Sequence, residues 1–291
     1  MDPDSEVAFD FQPYLCQYKS GRVFRPGGDP TVPAGTDPVT RVVSRDIHAG
    51  AARARVYLPP GAAVSTEKLP VVVYFHGGGF VTGSPARPST HAYLNDLVAR
   101  AGAIGVSVYY RLAPENPLPA AYEDAWAAVR WAATRGDGAD PAGANIAHNM
   151  AVRCGGGGAL PDGVTLRGLV VVHPYFTGKE AVGAEAAFGP DVREFFDRTW
   201  RFVFPETSGL DDPRVNPFVD DATRAAAAAI PCERVQERGL WYHRELKASG
   251  YGGEVELFES KGVGHAFHFV GMAGSDQAVE LLERNVEFIK K

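Results

Sequence analysis

The residues His76 to Phe80, HGGGF, form the clearest chemical motif in the sequence. They directly follow the apolar run LPVVVYF, residues 69–75, which is typical of a strand buried on both faces. Glycine lets backbone N–H groups approach a ligand without an intervening side chain. A glycine-rich turn at the end of such a strand can therefore stabilise an oxyanion, so we predict an oxyanion hole here. A plain strand-to-helix turn is the alternative interpretation.

A second chemical candidate is His265, in the glycine-flanked stretch GVGHAFHF, residues 262–269. This stretch follows EVELFES (254–260), which has the pattern of a last strand. Imidazole is the usual general base near neutral pH. A lone histidine is more often structural, but the position after the last strand favours a catalytic role. We interpret His268 as a packing residue. Three further histidines lie inside helix or strand patterns and are interpreted as structural: His148, His173 and His243.

Strands and helices alternate along the chain, which indicates an α/β fold. The segments 40–47 and 52–59 predict an antiparallel edge, and 69–80 and 101–110 predict buried parallel strands around a helix at 89–102. Further elements are predicted C-terminal to this βαβ unit: a helix at 119–136, strands at 166–176 and 254–260, and a helix at 276–291. The pattern fits one large domain.

Four motifs occur in a distinctive order: HGGGF, YRLAPE (110–115), AGANIAHN (142–149) and GVGHAF (262–267). In this order the chain resembles the plant carboxylesterases of the hormone-sensitive-lipase branch of the α/β hydrolases. The likeness covers nearly the whole chain, including FDFQPYLCQYKSGRVFR (9–25), which resembles a lid segment. It implies one α/β-hydrolase domain over 1–291, with a mostly parallel central sheet flanked by helices. Its expected parts are an N-terminal lid segment (1–45), a catalytic-core region (70–269) and a cap-like region (177–230).

The resemblance also implies residue roles. Backbone N–H groups of Gly77, Gly78 and Ala142 would form the oxyanion hole, and His265 would be the general base for a serine nucleophile. The implied reaction is hydrolysis of short-chain acyl or small aryl esters, with no cofactor and no metal.

The sequence departs from the family at the nucleophile. The stretch ADPAG (139–143) stands where the family has G-x-S-x-G, so Pro141 occupies the serine position and supplies no hydroxyl. The predicted helix 119–136 leads through DGADP straight into the next helix, so the strand before the serine is expected to be missing. Asp140 lies beside the vacant position and is not interpreted as a substitute.

A second departure lies where the family has a strand that ends in the acid of the triad. Here ERVQ (233–236) leads directly into ERGLWYHREL (237–246). We therefore predict a chain that lacks about two strands, the nucleophile and the acid. A spliced or wrongly annotated coding sequence explains two such losses better than drift in a folded enzyme, and this is a hypothesis.

Composition limits the partners. The 291 residues carry a net charge of −6, are 45% hydrophobic and contain no basic run, which argues against nucleic acid or an anionic membrane as partner. The acidic start, MDPDSEVAFDFQPYL, lacks the pattern of a signal peptide, so we predict a cytoplasmic protein and leave the nucleus open as a second location. The three scattered cysteines indicate neither a disulfide framework nor a metal site. The expected partner is a small-molecule ester or a hormone-like ligand.

Three functions remain open. The chain is a carboxylic-ester hydrolase by family whose own activity is lost or impaired, a ligand-binding protein, or a dehydratase or lyase that uses the oxyanion hole and His265. Gibberellin receptors, which resemble this family, keep the serine and lose the histidine, whereas this chain shows the opposite pattern. The sequence does not predict the oligomeric state.

Overall fold

The computed structural model describes residues 5–62, 68–133, 143–155, 160–227, 233–235, 238–264, 266–269 and 274–291. The N-terminal segment forms a three-stranded antiparallel sheet of β1 (Val7–Phe11), β2 (Leu15–Tyr18) and β3 (Val23–Phe24). The sequence patterns had predicted a lid segment here but no strands. Leu15 and Cys16 of β2 are buried, and most of the other residues of these three strands are partly or fully exposed.

A four-stranded sheet follows, in the order β4 (Val43–Ala49), β5 (Ala52–Leu58), β7 (Ile104–Tyr109), β6 (Val71–Tyr74). The β4–β5 and β5–β7 pairs are antiparallel, and β6 pairs with β7 in parallel. Helix α1 (Pro88–Ala101) connects β6 to β7. The antiparallel edge and the βαβ unit predicted from the sequence are thus confirmed. All four residues of β6 are buried, as expected for an apolar run covered on both faces.

A second sheet contains β8 (Leu169–Val170), β9 (Glu233–Val235) and β10 (Val255–Leu257), all parallel, in the order β10-β9-β8. Two predictions are corrected here. The single, mostly parallel sheet is divided in two among the described residues, and the first part is mixed. In addition, residues 233–235 are a strand, because three residues suffice to pair with β8 on one side and β10 on the other; the prediction that this strand is missing is wrong.

The remaining helices are α2 (Ala120–Ala133), α3 (Ala144–Gly155), α4 (Pro190–Val203), α5 (Asp221–Ala227), α6 (Arg238–Ala248) and α7 (Asp276–Lys290), with a short 3₁₀ helix at Gly183–Ala187. Helices α4 and α5 fall within the region predicted as a cap. Residues 134–142, between α2 and α3, lie outside the described part of the chain, as do 156–159 of the glycine-rich stretch 154–160.

One hydrophobic core serves both sheets. It contains Val73 and Val106 from the four-stranded sheet, Leu169 from the three-stranded sheet, and Ile146 from α3. Helix α3 also has a polar contact with the segment after β8, since the Asn145 side-chain amide donates to the carbonyl oxygen of Tyr175 at 3.0 Å. In the described residues β6 pairs only with β7, although the strand is fully buried.

The one-sided pairing of β6 leads to a prediction about hydrogen exchange. About half of the N–H groups of an edge strand point away from its only neighbour, and a buried N–H group without a partner is costly. We expect the outward N–H groups of Val71–Tyr74 to exchange faster than those of β5, which is paired on both sides, and the protein to bind a hydrophobic dye and to self-associate. NMR-detected exchange, dye fluorescence and size exclusion measure this. Equal protection of β6 and β5 in a monomer that melts cooperatively would contradict it.

Candidate active site

The loop after β6 turns the chain with three successive residues at positive φ. These are Gly78 at +127°, Gly79 at +57° and Phe80 at +65°. The turn is closed by the Gly78 carbonyl oxygen, which accepts hydrogen bonds from the N–H groups of Val81 (3.0 Å) and Thr82 (3.1 Å). Gly77 is exposed, and within the described residues neither its N–H nor that of Gly78 donates a hydrogen bond. Two adjacent N–H groups without a partner in the described residues fit the oxyanion hole that the sequence predicts. After this prediction we call residues 76–83 the oxyanion loop.

Glycine is required at two positions of this loop for reasons of space. A Cβ atom at Gly78 would lie 2.0 Å from the carbonyl oxygen of Thr82, and one at Gly83 would lie 2.6 Å from Nδ1 of His76. Gly77 differs, because a Cβ atom there would meet nothing within 4 Å. The glycine-rich motif thus reflects close packing of the loop on itself at 78 and 83, and openness at 77.

His76 is a buried positioning residue of the loop. Its Nδ1–H donates to the Gly77 carbonyl oxygen at 2.9 Å, and its ring stacks on Tyr110 with centroids 4.2 Å apart. The Tyr110 hydroxyl donates to the His76 carbonyl oxygen at 2.6 Å. Burial lowers the pKa of His76 to about 4, so the ring is neutral near pH 7. The Gly77 C=O and the Gly78 N–H belong to one trans peptide group and point in opposite directions. The hydrogen bond from His76 to the Gly77 carbonyl oxygen therefore directs the Gly78 N–H away from His76.

The end of the ADPAG stretch lies directly beside the oxyanion loop. Gly143, its last residue, has φ +123°, and a Cβ atom there would lie 2.3 Å from Cβ and 2.5 Å from the carbonyl oxygen of Phe75. Only glycine fits against the backbone at this distance. The start of α3 is therefore packed on the residue that precedes His76. Three residues named in the sequence analysis lie outside the described part of the chain. They are Pro141 at the vacant nucleophile position, Ala142 as the predicted third oxyanion donor, and the neighbouring Asp140.

The histidine loop after β10 is fixed through its neighbours. His265 itself lies outside the described residues, and so do Gln236 and Glu237, which follow β9. The next residue, Ala266, donates its N–H to Nδ1 of His173 at 3.0 Å. His173 follows β8, so a residue interpreted as structural ties the loop to the second sheet.

Aromatic rings surround the oxyanion loop. Phe80 points inward and makes edge contacts with Tyr122, Tyr175 and Trp200 at centroid distances of 6.0, 6.3 and 6.3 Å. On the other side, the ring of Phe11 lies 3.5 Å from the position that a Cβ atom of Gly79 would occupy. The N-terminal sheet thus contacts the loop directly.

An acidic residue of α2 is buried and paired. Asp124 is 7% exposed and accepts two hydrogen bonds from the Arg111 guanidinium, at 2.8 and 2.9 Å. It also accepts from the Arg111 backbone N–H at 2.9 Å. This bidentate pair anchors the YRLAPE segment on α2. Nothing in the sequence spacing indicated that the two side chains would meet.

Comparison with known proteins identifies the fold family. The family described as alpha/beta hydrolase fold matches residues 72–269. The chain is an α/β hydrolase. This α/β hydrolase is 36% identical to probable carboxylesterase 2 of Arabidopsis thaliana, covering 98% of the chain and 97% of the relative, and so belongs with the plant carboxylesterases. It is 38% identical to tuliposide A-converting enzyme 2 of Tulipa gesneriana, covering 99% of the chain and 80% of the relative.

Solved structures agree with this assignment. An esterase from the archaeon Pyrobaculum calidifontis is similar with a TM-score of 0.67 at 29% identity, over 87% of the hydrolase described here and 86% of that chain. A thermostable esterase from Pseudomonas putida, at 21% identity, shares the fold with a TM-score of 0.71 over 88% of this chain and 85% of its own. The predicted fold and family are therefore confirmed.

The predicted cytoplasmic location is not supported by the relatives. The tulip proteins are named as chloroplastic or amyloplastic. None of the helices that the structure describes in this hydrolase combines the length and the apolar character needed to span a bilayer.

The oxyanion loop gives a matched pair of glycine variants. Gly78→Ala combines positive φ with a clash against the Thr82 carbonyl, so we expect a loss of about 2 kcal/mol or more in the free energy of unfolding. Gly77→Ala is the control, because neither constraint applies there, and should change stability by less than about 0.5 kcal/mol. Urea denaturation monitored by fluorescence measures both. Equal effects would show that the loop does not have this conformation.

The buried His76 predicts a pH dependence of stability. Its pKa falls from 6.5 to about 4 on folding, so the unfolded chain binds the proton more tightly. The contribution of His76 to the free energy of unfolding is fully present above pH 6.5. It should fall by up to about 3 kcal/mol as the pH drops towards 4. Burial also lowers the pKa of His148, to about 3, so both residues contribute. His76→Asn should flatten the stability profile between pH 4 and 6.5; an unchanged slope would contradict the assignment.

Proposed function

We propose that this chain derives from a carboxylic-ester hydrolase and that its own ester turnover is absent or severely impaired. The observation that carries the proposal is the combination of a glycine loop that leaves the N–H groups of Gly77 and Gly78 without a partner among the described residues, and a sequence that has Pro141 at the nucleophile position. Hydrolysis by this mechanism needs a hydroxyl that attacks the carbonyl carbon, a histidine that takes the proton, and an acid that orients the histidine. Proline has no hydroxyl, so the covalent acyl intermediate cannot form at Pro141.

The length of the matched relatives supports a lost segment. The match to the tulip enzyme extends over 316 positions, whereas this chain has 291 residues, so the relative carries residues without a counterpart here. The division of the sheet is consistent with a loss between α2 and α3, since β6 and β8 are both edge strands with parallel neighbours. A parallel strand between them would join the two sheets. Such a strand would end where the nucleophile is expected.

The acid is the second part of the proposal. The structure describes β9 at Glu233–Val235 and α6 from Arg238, so only two residues of the sequence connect them. We infer that so short a connection omits the position from which the acid would reach His265. We infer that this loss affects the catalytic end of the strand and leaves its pairing with β8 and β10 intact.

The ligand that best fits the remaining site is a small ester or a hormone-like carbonyl compound. A carbonyl oxygen can accept from the free N–H groups of Gly77 and Gly78, and Phe11 offers an apolar contact beside them. A non-hydrolytic conversion is the second candidate, favoured by relatives that are named as tuliposide A-converting enzymes. Incubation with tuliposide A and product analysis tests it. A gibberellin-binding titration tests the receptor alternative.

Activity measurements test the proposal directly. We expect hydrolysis of p-nitrophenyl acetate to be equal to, or only slightly above, that of a histidine-rich control protein. Binding and oxyanion donors alone leave a residual acceleration of about 10³ to 10⁴ over water in triad enzymes stripped of their side chains, and only in an intact fold. Serine-directed phosphonate should not label the chain. Phosphonate-sensitive turnover at the rate of an Arabidopsis carboxylesterase would refute the proposal.

Attempts to restore turnover distinguish the loss of the serine alone from the loss of whole chain segments. Pro141→Ser alone should not restore turnover, because the serine would have no strand before it and no acid would orient His265. Reinsertion of both segments from a relative should restore it. If Pro141→Ser alone gave turnover that vanished on His265→Ala, the interpretation of two lost segments would be wrong. Reading the transcript across codons 135–145 and 232–240 tests the origin of the loss.

A further inference from the structure

Arg25 joins three separate segments of the chain. It lies just after β3, and its Nε–H donates to the carbonyl oxygen of Val81 at 2.8 Å. One Nη group donates to the carbonyl oxygen of Ala113 at 3.1 Å. The guanidinium also holds Glu115 in a bidentate pair, at 2.7 and 2.8 Å. The N-terminal sheet, the oxyanion loop and the YRLAPE segment are thus connected through one side chain.

The contacts of Arg25 fall on the outer side of the oxyanion loop. The Val81 carbonyl is held by Arg25, and the neighbouring Phe80 carbonyl accepts from the Ala113 N–H at 2.9 Å. Both carbonyls belong to the turn that Gly78 closes. With these acceptors bound, the turn cannot rotate these two peptide groups without breaking one charge-assisted hydrogen bond, from Arg25, and one backbone hydrogen bond, from Ala113.

A second link ties the same N-terminal arm to the loop. Arg87 donates to Asp29 at 3.1 Å and to the Thr82 hydroxyl at 3.1 Å. The Val32 N–H donates to the Ala86 carbonyl at 2.8 Å. The arm from Arg25 to Val32 is therefore attached to the loop region at three places.

From these contacts we infer that Arg25 is a positioning residue of the oxyanion loop: it fixes the turn so that the N–H groups of Gly77 and Gly78 stay free for a ligand. The inference rests on the role proposed for this loop. Arginine suits this role better than lysine, because its planar fork reaches two carbonyls and a carboxylate together, whereas an ammonium acts as a point charge. The hydrogen bonds from Arg25 lower the pKa of Glu115, so the carboxylate is charged at neutral pH.

Two conservative variants separate the contacts. Arg25→Lys keeps a cation for Glu115 but cannot reach both carbonyls, whereas Glu115→Gln keeps the carbonyl contacts and removes the charge. The amides of Val81, Thr82 and Ala113 report the order of the loop, since each donates a hydrogen bond within it. We expect Arg25→Lys to speed their exchange about tenfold and to shift the ¹⁵N resonances of Gly77 to Gly79, with β5 amides unchanged. Glu115→Gln should change the exchange less than twofold.

Two results would overturn the inference. One is unchanged exchange at Val81, Thr82 and Ala113 in Arg25→Lys; the other is an equal acceleration in β5, which would show only a general loss of stability. If Arg25→Lys does not fold, Arg25→Gln takes its place in the same comparison. The readout does not involve turnover, so unexpected ester hydrolysis would refute the proposed impairment and leave this result standing.

Discussion

The packing of Gly143 against the backbone of Phe75 is the contact on which the rest of the site depends. It places the start of α3 at the end of β6, with a separation that no side chain other than hydrogen allows. Through α3 the same contact reaches the segment after β8, since the Asn145 side-chain amide donates to the carbonyl oxygen of Tyr175. In the part of the chain that the structure describes, this helix contacts both sheets and no strand is shared between them.

Three carbonyl oxygens of the oxyanion loop accept hydrogen bonds that fix its conformation. The Gly77 carbonyl is bound by His76, the Phe80 carbonyl by Ala113, and the Val81 carbonyl by Arg25. A peptide whose carbonyl is fixed has its N–H fixed as well, because the unit is planar. The Gly78 N–H is therefore oriented by His76, which lies within the HGGGF motif, and the Gly77 N–H by Tyr110, which binds the His76 carbonyl. Ala113 and Arg25, which lie outside the motif, fix the peptide groups at the other end of the turn.

Periodicity and motif order predicted the strands, turns and helices that are determined by residues close together in the sequence. The apolar run of β6, the glycine turn after it and the helices α1, α2 and α7 all arise from neighbouring residues, and the structure contains each of them. The pairing of Arg111 with Asp124 and of Arg25 with Glu115 was not predictable, because these contacts are set by tertiary packing over spacings without a regular period. Strand β9 was missed for a related reason: three residues carry too little pattern, and their strand conformation depends on β8 and β10. The placement of Pro141, Ala142 and His265 remains a prediction from the sequence.

The supports of the two loops are consistent with the proposal that the family resemblance outlasts a loss of the nucleophile. The oxyanion loop rests on the four-stranded sheet and the N-terminal arm, and the histidine loop is tied to the second sheet through His173. Among the described residues, the hydrogen bonds that hold these two loops come from outside the segment between α2 and α3, and Gly143, the last residue of that segment, still packs on Phe75. A chain that lost residues before Gly143 could therefore keep both neighbouring loops anchored, because each is bonded to its own support. Catalysis has no such independence, since the hydroxyl, the imidazole and the oxyanion donors must meet at one carbonyl group.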